Sequence, residues 1–326
     1  MKRSRKKIIF FLCCLLLLVG LSIGAYFNAN IEVFSKEVSI SAVSDMPAPL
    51  GVLEKPIFLD YMGELMLDQG NINKEDILSS DEPAEMYYSL HEKNKGLIYI
   101  RINNVKESTL RIVLAPIGNE SLQPDEIRGV SEGYYPLTHG AGEYMLRIFA
   151  VQVDGTYTQV FSDNFVAEFE TNEPYKYTNV FSMYSANSVA IKKAYALTKS
   201  DSSNEEKAIK IKKYIDNNIS YDYEKEEAVL ELIKNNNISL FSSEFVDIDY
   251  IYNEERGICS DFAALFSVMM KSVGVPTREV RGYTWASGSK YHSWNEYLDD
   301  FGEWVTIETG SKILNNRYYR DAYSER

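Results

Sequence analysis

Cys259, His292 and Glu308 are the residues whose types and spacing could do chemistry. Cys259 stands in the stretch RGICSDFAALFSVMMKSVGVPTR, residues 256–278. Gly257 can supply an unusual backbone angle or a close approach. Ser260 and Asp261 suit a helix start, and Gly274 with Pro276 suits a helix end. Phe262, Leu265, Phe266, Met269 and Val273 fall on one face, so the spacing predicts a helix with Cys259 at its N-terminus. There the positive end of the helix dipole stabilises a thiolate. The same end offers free N–H groups to an oxyanion. A core cysteine would more naturally lie mid-helix on the apolar face.

A thiol nucleophile needs a base, and the chain has three histidines. His91 and His139 fall in polar or glycine-rich loops, far apart in sequence, and read as surface residues. His292 opens residues 291–298 (YHSWNEYL), where alternation puts His292, Trp294, Glu296 and Leu298 on one strand face. Residues 299–302 (DDFG) make a turn, and 303–309 (EWVTIET) return as the partner strand. This hairpin brings Glu308 back beside His292. A carboxylate there would accept from one ring nitrogen and leave the other facing the thiol. The plainer alternative is an exposed strand-edge histidine and an exposed glutamate.

The cysteine count bears on the same question. Two of the three cysteines, Cys13 and Cys14, lie in an apolar N-terminal run and read as apolar filler. Cys259 is therefore alone in the rest of the chain, and no intramolecular disulfide is expected there. A lone thiol outside the cell is exposed to oxidation. Its alternative fate is that of a small buried hydrophobe. No second His or Cys lies near in sequence, so metal catalysis is not expected. The acidic chain carries no EF-hand spacing for calcium. No cofactor is implied.

The first residues bear on location. Lys2, Arg3, Arg5, Lys6 and Lys7 precede an uncharged run from Ile8 to Asn30. Its apolar heart, 8–27, is long enough to span a bilayer. The basic flank should stay in the cytoplasm and place the remainder of the chain outside. An uncleaved anchor is favoured, while Ser22-Ile23-Gly24 leaves a cleaved signal peptide open. The formal net charge is −13, and −18 without the five basic residues at the start. So acidic a chain is a poor nucleic-acid binder, because phosphates need clustered Lys and Arg.

The elements that must position the three residues fall into two folding regions. Residues 1–30 are the anchor or signal peptide. Residues 31–80 read as linker and a poorly assigned region, with strand-like alternation at 38–43 and linker-like prolines at Pro47, Pro49 and Pro56. Residues 81–172 are β-rich. Runs at 96–102 (GLIYIRI), 109–114 (TLRIVL) and 143–153 (EYMLRIFAVQV) are followed by Asp154-Gly155, a hairpin signal. Strands are expected at 156–161 and 164–169, and a small β-sandwich fits the spacing. Residues 173–326 are helical, then β. A helix is expected at 187–197. Ser203 to Glu206 matches a capping box for the next helix, which carries Ala208, Ile211 and Ile215 on its core face. Residues 224–248 read as a surface excursion through the polar Asn235-Asn236-Asn237.

Gly257, Cys259, Asp261, Gly274-Val275-Pro276, Arg278, Gly282, His292, Trp294, Glu296 and Trp304 together resemble the pattern of the transglutaminase-like superfamily of papain-type cysteine enzymes. Ile219-Ser220-Tyr221-Asp222 is similar to the family's upstream element. The resemblance covers roughly residues 180–315. It implies an α+β fold in which the helix bearing Cys259 packs on an antiparallel sheet, preceded here by the β-sandwich-like region. The β-rich part and apolar N-terminus resemble secreted or membrane-anchored bacterial members.

That resemblance implies acyl transfer or hydrolysis on protein or peptide amides at the cell surface. A thioester on Cys259 would be the intermediate, with His292 the base and Glu308 third. The family's third residue is usually Asp, often followed by Pro; here Glu308 is followed by Thr309-Gly310. Glu has the same charge and one more methylene, so Glu308→Asp is expected to be tolerated and Glu308→Gln to be damaging. Backbone N–H of Cys259 would hold the oxyanion, with Asn218 or Tyr221 as second donor. Tyr283 and Trp285 would border the cleft or pack as loop aromatics. Trp294 and Trp304 read as hairpin core. A catalytically weak or inactive binding module on the same fold is the alternative function.

Overall fold

The structure, a computed structural model, describes residues 49–53, 61–67, 72–106, 109–118, 125–128, 132–152, 154–234, 246–284, 290–310 and 319–325. The apolar run at 8–30, the alternation at 38–43, Pro47, Pro56, Asn235 to Asn237 and Trp285 lie outside them. The described residues belong to one compact unit, Met46–Arg326. No helix among them is long and apolar enough to cross a membrane.

The first half is two four-stranded antiparallel sheets around one apolar core. The strands are β1 (Tyr61–Glu64), β2 (Glu85–Ser89), β3 (Leu97–Asn103), β4 (Leu110–Pro116), β5 (Asp125–Arg128), β6 (Glu132–Pro136), β7 (Gly142–Val151) and β8 (Tyr157–Ala167). Sheet orders are β1-β2-β3-β6 and β5-β4-β7-β8. Alternation does the work here. Leu110, Ile112 and Leu114 of β4, and Tyr144, Leu146 and Ile148 of β7, point into the core. Met86, Ile98, Ile100 and Ile102 meet them from the other sheet. β1 and a one-turn helix, α1 (Lys74–Ile77), come from the stretch read as linker. β8 is one strand, not the expected two. Its polar residues Ser162 and Asn164 break the apolar pattern, yet they are exposed on an edge strand and leave the ladder to β7 unbroken across them.

The second half wraps one buried helix. Its elements are α2 (Val189–Thr198), α3 (Asn204–Asn218), β9 (Ser220–Tyr221), α4 (Tyr223–Lys234), α5 (Ile248–Glu254), β10 (Arg256–Gly257), α6 (Cys259–Ser272), β11 (Thr277–Thr284), β12 (Lys290–Leu298), β13 (Trp304–Ile307) and β14 (Tyr319–Glu325). The sheet is antiparallel, in the order β13-β12-β11-β14. α3 begins on the expected capping box: the Ser203 hydroxyl accepts from Glu206 N–H, and the Glu206 carboxylate accepts from Ser203 N–H. Such a cap contributes about 1 kcal/mol.

α6 is buried on every side, from Ser260 to Ser272, where the sequence pattern predicts one buried face. The reason is its surroundings. α2, α3 and α5 pack on it, and β11 and β12 close the other side. Small residues Ala263, Ala264 and Ser267 let these neighbours approach. Even Lys271 is buried, its ammonium donating to the Ser182 hydroxyl at 2.9 Å. α4 also differs from the expected surface excursion. Its Val229 packs on Ile258, and its Lys225 reaches Asp261. β14 carries no strand signal, since its sequence YRDAYSE has no apolar alternation; it pairs as an edge with β11.

Candidate active site

Two short strands place Cys259. β9 and β10 pair in parallel, Ser220 with Arg256 and Tyr221 with Gly257. Ile258 then turns the chain into α6 with an extended backbone. Its N–H donates to the Asp261 carboxylate at 2.9 Å. Asp261 is itself buried and paired with Lys225 at 3.0 Å. Gly257 has to be glycine for this return: a Cβ there would stand 2.7 Å from the Asp261 Cβ. Ile258 carries no side-chain oxygen, so the first N–H groups of α6 get no cap from it. Those donors, at Cys259 and Ser260, have no acceptor within the helix. Cys259 is partly exposed.

His292 comes from β12, opposite Gly282 of β11. Its Nε2 lies 2.7 Å from Glu308 Oε1. Cys259 lies near enough to the same ring to influence its protonation, and Nδ1 is the ring nitrogen not engaged by Glu308. Trp294 stacks near the imidazole, with ring centroids 6.4 Å apart and planes 19° from parallel. Burial alone would lower the His292 pKa. The hydrogen bond to Glu308, with its negative charge, and the neighbouring Cys259 outweigh it and raise the pKa to about 10.

Glu308 comes directly after β13, and its side chain is 4% exposed. Burial pushes its carboxyl above the ordinary range, against the pull of the His292 and Lys212 charges. Three contacts fix its backbone. The Lys212 ammonium donates to the Glu308 carbonyl. Gly310 N–H donates to Asp216 Oδ1 at 2.8 Å. Gly310 itself has φ +75°, and a Cβ there would stand 2.9 Å from the Phe262 ring. Phe262 lies one turn along α6 from Cys259, so the turn carrying Glu308 is set against the helix carrying the thiol.

The structure thus brings together Cys259, His292 and Glu308. Of the other expected residues, Tyr221 lies near Cys259. Its ring stacks on Phe262. Burial raises its pKa well above the usual tyrosine value. Asn218 is exposed, its amide donating to the Tyr214 carbonyl of its own helix at 2.7 Å. Tyr283 pairs with Tyr291 through the β11–β12 ladder. Trp294 is buried; Trp304 is half-buried, with the Arg278 guanidinium 4.3 Å over its ring. Sequence reasoning missed Lys212, Asp216 and Lys225. On a helix written NEEKAIKIKKYIDNN, a lysine and an aspartate one turn apart look like any solvated pair. Among the described residues, no group of three or more His, Cys, Asp or Glu could hold a metal ion.

A buried helix starting at a cysteine, against an antiparallel sheet that supplies His and a carboxylate, is the arrangement of a papain-type cysteine-enzyme fold. Residues 191–309 match the model of the transglutaminase-like superfamily. A relative in Bacillus subtilis (strain 168), the uncharacterized protein YebA, is 25% identical over 251 residues, 66% of this chain and 31% of YebA. The match thus spans less than a third of that relative's length. Among solved structures, the chain is similar to a Cytophaga hutchinsonii protein described as a proposed cysteine protease. There the identity is 12% and the TM-score 0.38, over 68% of this chain and 78% of that one. It is also similar to the periplasmic domain of TgpA from Pseudomonas aeruginosa, with 11% identity and a TM-score of 0.31, over 62% and 87% of the two chains. TM-scores below 0.5 support no functional conclusion.

Proposed function

We propose that Cys259, His292 and Glu308 form a catalytic triad for acyl transfer or hydrolysis at protein or peptide amides. The observation that carries this reading is the Glu308 carboxylate held 2.7 Å from Nε2 of an imidazole that neighbours Cys259 at the start of α6. In this reading the Cys259 sulfur attacks the amide carbonyl carbon and forms a C–S bond. The developing oxyanion is met by the uncapped N–H groups at the start of α6. His292 gives its proton to the leaving nitrogen, the C–N bond breaks, and a thioester remains on Cys259. Water or a primary amine then attacks the thioester. His292 takes the proton from that nucleophile, and the sulfur leaves. Glu308 keeps the ring oriented and stabilises its positive charge.

Residues 1–30 would anchor the protein, or direct its export, with the rest outside the cytoplasm. Surface proteins or peptides are the substrates such a location offers. The test is mass spectrometry of the full-length protein incubated with a peptide library and a primary amine. Amine adducts establish transfer, and shortened or deamidated peptides establish hydrolysis. Neither product from wild type, or equal product from Cys259→Ala, would overturn the reading and leave a binding module.

A further inference from the structure

Glu308 carries a longer side chain than the aspartate usual at this place in the triad, and its position is set by residues the mechanism does not use. Lys212 and Asp216 lie one turn apart on α3 and pair at 2.6 Å. As a helix-stabilising pair they are poorly ordered, because the acidic partner is better placed N-terminal to the basic one. Both reach off the helix to the same three-residue turn. Lys212 donates to the Glu308 carbonyl, while Asp216 accepts from Gly310 N–H. The turn is thereby held at both ends, and Gly310 is seated on Phe262 of α6. The side chains of Lys212 and Asp216 are only 31% and 30% exposed. Both charges also reach the Glu308 carboxyl, Lys212 favouring its ionised form and Asp216 opposing it.

We infer that Lys212 and Asp216 are positioning residues, a clamp that sets the Glu308 backbone so that its carboxylate meets His292 Nε2. This inference rests on the triad reading. The clamp acts only through Glu308, so its loss should matter only while the Glu308 carboxylate is present.

The test measures alkylation of Cys259 by iodoacetamide, read by peptide mass spectrometry, in the full-length protein. Selective carbon-13 labelling of histidine gives the His292 titration midpoint in the same samples. Lys212→Met should slow alkylation roughly tenfold and lower the His292 midpoint, as Glu308→Gln does. Lys212→Arg should restore both. In a Glu308→Gln background, Lys212→Met should add nothing further. A merely structural role would lower the melting temperature, leave the His292 midpoint in place, and slow alkylation equally in both backgrounds. Either that result or wild-type behaviour of Lys212→Met would overturn the clamp. Should Lys212→Met fail to fold, Asp216→Ala gives the same test, since it removes the acceptor for Gly310 N–H. Silent His292→Ala and Glu308→Gln variants would bring down the triad reading and the clamp with it. Effective triad variants beside silent clamp variants would bring down the clamp alone.

Discussion

Two buried bases lie at the two ends of α6, His292 of β12 beside its start and Lys271 within its last turn, and burial has opposite outcomes for them. At the start, His292 lies between Cys259 and Glu308, and its pKa rises to about 10. At the far end, Lys271 is fully enclosed and donates to a neutral hydroxyl, that of Ser182. Burial lowers its pKa to about 7, and the more distant charge of Glu279 opposes this only in part. Glu279 is already paired with Arg281, at 2.8 Å. Desolvation disfavours the charged form at both ends. The difference is whether an anion stands in hydrogen-bond contact. The two ends of one helix therefore lie beside a base that holds its proton, on β12, and a base on the helix itself that gives it up more readily.

The comparison is broken most severely by removing the paired base. His292→Ala should lower any acyl transfer or hydrolysis by roughly 10²–10⁴-fold, measured with the peptide and amine products. Glu308→Gln should come next, at about 10²-fold, because the ring keeps a hydrogen-bond partner but loses its countercharge. Glu308→Asp should also be damaging, contrary to what the sequence leads one to expect. The clamped backbone leaves an Asp carboxylate about 1.5 Å short of His292. A Glu308→Asp enzyme as active as wild type would show that the turn relaxes.

At the other end the sign reverses. Lys271 has a folded pKa below its unfolded value of about 10.4. Its burial therefore costs stability in full below about pH 7, and the cost fades as pH rises towards 10. Lys271→Met should stabilise the protein by about 1–4 kcal/mol at pH 6 and by much less at pH 10, measured by denaturant unfolding. A destabilised Lys271→Met protein at pH 6 would mean the ammonium is better solvated there than its burial indicates. His292 runs the other way. Its folded pKa lies above the unfolded value of about 6.5. Its contribution is complete below that pH and is lost as pH rises through about 10. A narrowing stability gap between wild type and His292→Gln is therefore expected across this window.

Much of this arrangement was legible in the sequence, for local reasons. The helix start at Cys259, the capping box at Ser203 and the Asp154-Gly155 turn are signals carried by a few adjacent residues. Alternation along β12 and its turn placed Glu308 near His292. What was not legible depends on distant partners. Nothing in the periodicity of α6 says that its polar residues are enclosed as well, because enclosure comes from α2, α3, α5 and the sheet. Lys225 and Lys212 look solvated until the chain folds and brings Asp261 and the Glu308 carbonyl to them. β14 has no pattern of its own and takes its place from the free edge of β11. Asn218 was a sensible donor by its position, but its amide bonds its own helix.

The measurement that reaches the central claim most directly is the alkylation rate of Cys259 in the full-length protein, compared with the unfolded chain and with His292→Ala. Cys259 is partly exposed and neighbours His292. The triad account predicts that Cys259 in the folded protein reacts at least about tenfold faster than in the unfolded chain, and that His292→Ala removes the advantage. A folded Cys259 that reacts no faster than the unfolded thiol, with or without His292, would contradict it.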